Sequence, residues 1–96
     1  MAGEDRAYCR WIRTQPCLMS HLSSCFGLAE ADHAGRRPGM ALKCHDHETI
    51  PLCHKHHMER HALSGAFKGW DRRRWREWAD HWIAEMRSRW STEKEA

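Results

Sequence analysis

The sequence predicts a small α+β protein in which a strand, a loop, a second strand and a helix form a metal-tied unit, followed by an amphipathic, tryptophan-rich helix. Three observations carry this prediction. Four of the five cysteines and eight of the nine histidines fall in the 45 residues from Cys17 to His61. Within that stretch, short apolar runs bounded by turn residues give way to a segment of helical character. Beyond it, Trp75, Trp78, Trp82, Ile83, Met86 and Trp90 are spaced by three, four, one, three and four residues, which traces one face of an α-helix.

The elements follow in chain order. Residues 1–7 are small and polar and read as a disordered arm. Tyr8, Trp11 and Ile12 lie in a short segment ended by Pro16 and pin that arm to the core. Residues 17–27 read as an irregular knuckle. Glu30 to His33 reads as a strand entering the turn-rich run Ala34-Gly35-Arg36-Arg37-Pro38-Gly39, and Glu48 to Leu52 as a second strand that Pro51 confines to an edge or an end. A helix beginning near Cys53 ends at Gly65, which closes a unit spanning 8–65. The carboxy-terminal helix occupies 70–91, with Asp71 as its N-cap. Its tryptophan stripe suits core packing, with base stacking by exposed rings as the alternative.

Composition narrows the function. A chain of 96 residues makes one domain and buries only about 60–65% of its unfolded surface, so a staple is expected. No run approaches the roughly 20 consecutive apolar residues of a membrane helix. The first twenty residues carry acids and arginines where a signal peptide needs an apolar centre, and five cysteines are odd in number, so the expected compartment is the reducing cytoplasm. The net charge of +3 is divided into about +1 over 1–16, zero over 17–61 and +2 over 62–96. Arg72, Arg73, Arg74 and Arg76 crowd the positive end of the last helix, so they either meet a negatively charged partner or form a solvated face.

Two sets of residues carry chemistry. Cys53 and His56 stand at a zinc-knuckle spacing, and Cys17 with Cys25 supplies a second half-site, together a Cys3His tetrahedron suited to a structural Zn2+. His21 competes with Cys25 for the fourth position, and Cys9 and Cys44 are left as ordinary thiols. Asp32, His57 and His61 offer oxygen and nitrogen without sulfur, which suits a labile catalytic divalent ion, and the two histidines, four apart, share a helix face. His33 stands beside Asp32. A carboxylate for the metal next to an imidazole for the water is what phosphodiester hydrolysis requires, provided that strand twist brings both to one rim.

Asp32-His33, then Lys43-Cys44-His45-Asp46, then Ile50-Pro51-Leu52-Cys53-His54-Lys55-His56-His57 with His61 resemble the HNH, or His-Me finger, endonuclease motif. The lead-in Tyr8-Cys9-Arg10-Trp11-Ile12-Arg13-Thr14-Gln15-Pro16-Cys17 is similar to that of the small zinc-containing phage nucleases of the Ref, or recombination-enhancement, group. The resemblance covers roughly residues 8–63 and implies a ββα-metal fold with a structural zinc knuckle. It implies His33 as general base, Asp46 as the residue steadying the loop that carries the base, and Asp32, His57 and His61 as ligands of Mg2+ or another divalent ion such as Mn2+. Cys17, Cys25, Cys53 and His56 match the structural zinc set, although seven residues separate the first two cysteines where the family often has two, which keeps His21 as a rival.

The implied activity is hydrolysis of DNA phosphodiester bonds by a phage or prophage enzyme in the bacterial cytoplasm. Arg36, Arg37, Lys43, Arg72, Arg73, Arg74 and Arg76 are the expected nucleic-acid contacts. The mild net charge implies help from a protein partner or a homodimer. The alternatives are a zinc-stapled nucleic-acid-binding or adaptor module without catalysis, and a structural zinc protein that binds another protein through its tryptophan face.

Overall fold

The computed structural model of the chain describes residues 5–25, 27–35 and 45–95. Their order is helix α1 (Arg6–Ile12), strand β1 (Ala29–His33), strand β2 (Thr49–Cys53), helix α2 (His54–Ala62) and helix α3 (Arg72–Glu95). Short 3-10 turns at Asp46–Glu48 and Gly65–Phe67 complete a small α+β arrangement of three helices and a two-stranded sheet among the described residues. Arg36, Arg37, Lys43 and Cys44 lie outside the described residues.

Asp5 starts α1 by accepting the Tyr8 N–H on Oδ1 at 3.0 Å. Asp5, Arg6 and Ala7 therefore belong to a capped helix, where composition alone suggests a disordered arm; residues 1–4 lie outside the described residues. Tyr8 and Ile12, four residues apart, share one helix face and are fully buried. With Met86 they form an apolar cluster against which Trp11, Trp82 and Trp90 pack, so α1 is joined to α3. The Trp11 and Trp90 ring centroids are 5.3 Å apart.

The two strands pair antiparallel, with Ala29 opposite Cys53 and His33 opposite Thr49. Side-chain alternation along β1 has a direct consequence for the site. Glu30 and Asp32 face α2, while Ala31 and His33 face α1. Pro51 is tolerated in β2 because a two-stranded sheet leaves each strand an outer edge, and at that edge the Pro51 carbonyl accepts the Leu18 N–H at 3.0 Å. The knuckle is thereby hung on β2.

Cys53 caps α2, its Sγ accepting the His56 N–H. The helix ends at Ala62, three residues before Gly65, because Leu63 itself turns left-handed at φ 50° and the Ser64 N–H closes on the Glu59 carbonyl at 3.0 Å. Gly65 has another use. Its φ is 52°, and a Cβ there would collide with the Glu59 carboxylate, which accepts the Ala66 N–H.

Ile50, Leu52, Cys53, Phe67, Ala79 and Ile83 make the main core, walled by Trp70, Trp75, Trp78 and Trp82. Phe67 meets Trp70 at 5.0 Å and Trp78 at 5.4 Å, both edge-on. The tryptophan stripe is thus packed on the core, as the helical spacing predicted. Asp71 accepts the Arg74 N–H at 2.8 Å, and α3 continues to Glu95, a turn past its expected end. No helix among the described residues is long and apolar enough to cross a membrane.

Candidate functional site

Among the described residues, three groups of side chains that could hold a metal ion stand around the sheet, the candidate ligand atoms of each lying within 4.8 Å of one another. The first is Cys17, Cys25, Cys53 and His56. His56 Nδ1 faces three sulfurs, at 3.2 Å from Cys53, 3.3 Å from Cys17 and 3.8 Å from Cys25. A tetrahedral zinc with ordinary bond lengths sets sulfur-to-nitrogen edges of roughly 3.6 Å, so the donor set fits such an ion. The other ring nitrogen, Nε2, lies 2.7 Å from the Ser23 hydroxyl, which fixes the ring's orientation. Desolvation, then hydrogen bonds with the Cys17 and Cys53 sulfurs, push the Cys25 thiol up to about 12, and burial lowers the basicity of His56. Three sulfurs this close could all ionise only with a cation between them. His21 is exposed and outside the group, so the structure brings Cys25, and not His21, to the fourth position.

The second group is Asp32, His57 and His61. Asp32 is 1% exposed, at the end of β1, and His57 and His61 project from one face of α2 with ring centroids 4.9 Å apart. Glu30, two residues before Asp32 on the same strand face, accepts the His57 Nδ1–H on Oε1 at 2.8 Å. This hydrogen bond, outweighing the desolvation that opposes it, holds the Glu30 carboxyl below its ordinary range. With Nδ1 committed to Glu30, His57 Nε2 faces Asp32 Oδ1 at 3.4 Å, and in the neutral ring these two acceptors could share a cation. A resident cation already stands there. Arg60 grips Asp32 with Nε on Oδ2 and Nη2 on Oδ1, its guanidinium lies 4.5 Å over the Trp75 ring, and it donates to His61 Nε2 at 3.2 Å. A carboxylate offers about four lone-pair positions, so with Arg60 taking one on each oxygen Oδ1 keeps a second for a metal.

The third group is Cys9, His33 and Asp46, on the α1 side of β1. His33 Nε2 is 2.8 Å from Asp46 Oδ1, and Asp46 Oδ2 accepts the Asp5 N–H at 2.8 Å. Desolvation works against ionisation of Asp46, but the bonds from His33 and the Asp5 N–H outweigh it and its carboxyl sits below the usual range. Burial raises the Cys9 thiol. These residues line a cleft of about 350 Å³ together with Arg6, Arg10 and Arg13. Strand alternation therefore separates the pair that the sequence placed side by side: Asp32 is buried toward α2 and His33 opens toward α1, into a different group of side chains.

The arginines of α3 are largely engaged. Arg73 pairs with Glu77 at 3.1 Å, and Arg76 pairs with Asp80 at 2.9 Å and donates to the Ala34 carbonyl at 2.6 Å. Arg74 lies 4.3 Å over the Trp70 ring. Arg76 is thus a tie between α3 and the end of β1 more than a free cation. Three residues of the site escaped the sequence reading. Glu30 was visible as the second acid at period two on β1, and Arg60 as the cation three residues after His57 on the same helix face; nothing local marked Cys9.

The family model described as "Protein of unknown function (DUF968)" matches residues 1–75. An Escherichia coli (strain K12) protein described as "Uncharacterized protein YdfU" is 40% identical over 65 residues, which is 64% of this chain and 17% of the relative. The chain thus spans less than a fifth of the length of that relative. No solved structure matches. Because the family match runs from α1 through the sheet and α2 into α3 and takes in all three groups of ligating residues, the chain belongs to the DUF968 family of proteins of unknown function.

Proposed function

We propose that the chain is a metal-dependent endonuclease of the HNH type that hydrolyses DNA phosphodiester bonds in the bacterial cytoplasm, in a phage or prophage setting. The observation that carries this reading is the strand end itself: Asp32 converging with His57 and His61, and on the next residue a histidine held by a carboxylate. The consecutive β1, β2 and α2 would then be a ββα-metal unit. A structural zinc on Cys17, Cys25, Cys53 and His56 would staple the knuckle to the start of α2, cohesion that so short a chain needs.

His33 would act as the general base. Donation of its Nε2–H to Asp46 would leave Nδ1 as the basic nitrogen that takes a proton from water. Asp46 fixes the tautomer and favours the imidazolium that forms. Glu30 would orient His57, and Arg60 would neutralise Asp32 whenever no divalent ion does. A divalent ion on Asp32, His57 and His61 would supply charge neutralisation of the phosphate and of the leaving oxygen. Two imidazoles with one carboxylate suit Mn2+ better than Mg2+.

A non-catalytic reading, a zinc-stapled nucleic-acid-binding or adaptor module, is favoured by one observation: Arg60 already saturates much of Asp32. Supercoiled plasmid separates the two. Nicking that needs Mn2+ or Mg2+ and disappears in His33→Ala, with zinc content unchanged, supports the nuclease. An intact plasmid under Mg2+, Mn2+, Co2+ and Ni2+, with zinc bound stoichiometrically, transfers support to the binding module.

A further inference from the structure

The sequence directs attention to α3 and the 36–43 segment for DNA binding, yet among the described residues it is α1 that carries a row of arginines without ion pairs on the cleft of His33. Arg6, Arg10 and Arg13 stand at i, i+4 and i+7, so their side chains fall within about one sixth of the helix circumference. All three are exposed, and among the described residues no ion pair neutralises any of them, whereas Arg73, Arg76 and Arg89 of α3 each have an acid four residues away at 2.9–3.1 Å. Helix-dipole stabilisation accounts for Arg10 and Arg13 at the end of α1 but not for Arg6 in its first turn. The three also line one cleft with His33 and Asp46.

We infer that α1 is the phosphate-binding rail of the protein: Arg6, Arg10 and Arg13 take successive phosphates of one DNA strand and lead that strand past His33. Arginine forks bind phosphate oxygens bidentately, so the rail would fix the register of the strand without reading its bases. The inference deepens the proposed nuclease, on which it rests for the identity of its ligand, and it moves the principal electrostatic attraction from α3 to α1.

The test is equilibrium binding of a short labelled DNA duplex in buffer without added divalent ion, titrated from about 50 to 200 mM salt. Arg10→Ala/Arg13→Ala is compared with Arg73→Ala/Arg89→Ala and the parent, with circular dichroism and zinc content as folding controls; all four positions are exposed. The α1 variant should flatten the log–log salt slope by about 1.8, at about 0.9 for each phosphate that is no longer neutralised, and the α3 variant should leave it unchanged. A parental slope in the α1 variant overturns the inference, as does flattening confined to the α3 variant. The measurement is independent of cleavage. A flattened slope with no plasmid nicking refutes the nuclease and keeps the rail, whereas normal nicking with an unaltered slope refutes the rail alone.

Discussion

Replacing Arg60 by Met tests how the buried charge at the strand end is balanced. Asp32 is 1% exposed and Arg60 holds both of its oxygens from a side chain that is itself only 11% exposed. Removing the cation leaves a buried carboxylate beside two imidazoles, His57 at 3.4 Å and His61 within 4.8 Å. Breaking one side of a buried pair costs about 3–5 kcal/mol, and removing the guanidinium from the Trp75 face adds roughly 0.5–2 kcal/mol. A chain of this size has a total stability on the order of 5–15 kcal/mol, so the loss is a large fraction of it. At about 4–8 °C per kcal/mol, the 3–5 kcal/mol from the broken pair alone should lower the Tm by roughly 12–40 °C. The assay is thermal unfolding by circular dichroism without added divalent ions, then with Mn2+. Two further outcomes belong to the same argument. Asp32→Asn/Arg60→Met should recover most of the stability, because no unpaired charge is left. Mn2+ should stabilise Arg60→Met more than the parent, gaining about 2.7 kcal/mol at a hundredfold excess over its Kd. A single variant as stable as the parent without metal would refute the reasoning, since it would mean that Asp32 is compensated without Arg60.

Three other predictions follow from the same geometry. Cys25→Ser should lower zinc content and stability together while His21→Ala leaves zinc stoichiometry unchanged, read by metal analysis of the purified proteins. Glu30→Gln should weaken Mn2+ binding by about 10–100-fold, measured calorimetrically, because His57 loses the carboxylate that directs its Nε2 toward Asp32; unaltered affinity would remove His57 from the ligand set. Asp5 is held below the ordinary carboxylate value of 3.8, chiefly by its hydrogen bond with His47. A depressed folded-state value gives stability that is present above pH 3.8 and lost as pH falls through the folded value, so the parent's advantage over Asp5→Asn should be constant near neutrality and shrink below about pH 4 in urea titrations. Asn keeps the oxygen that caps the Tyr8 N–H but turns an amide donor toward His47, so the variant removes the charge and the His47 bond together.

Local chemistry in the sequence determined much of this molecule. Turn-bounded runs, a period-3.6 stripe, a capping Asp71 and an edge-compatible Pro51 are properties of short stretches of chain, so β1, β2, α2 and α3 were legible with boundary shifts of a few residues. The membership of the Cys3His group was nearly as legible, because spacing within a knuckle constrains which sulfurs can meet; Cys25 against His21 was the part that required coordinates. What only the tertiary structure decided concerns groups distant in sequence. The sequence separations of 41 from Asp5 to Asp46 and 28 from Asp32 to Arg60 are closed by packing of α1 and α2 on opposite faces of β1, which no local pattern encodes. The same packing separates the neighbours Asp32 and His33, buries the tryptophan face of α3 against Phe67, and leaves the α1 arginines, without ion pairs among the described residues, on the cleft of His33. Alternation along a strand is written in the sequence; which element covers each face is settled only when the whole chain competes to bury its apolar surface.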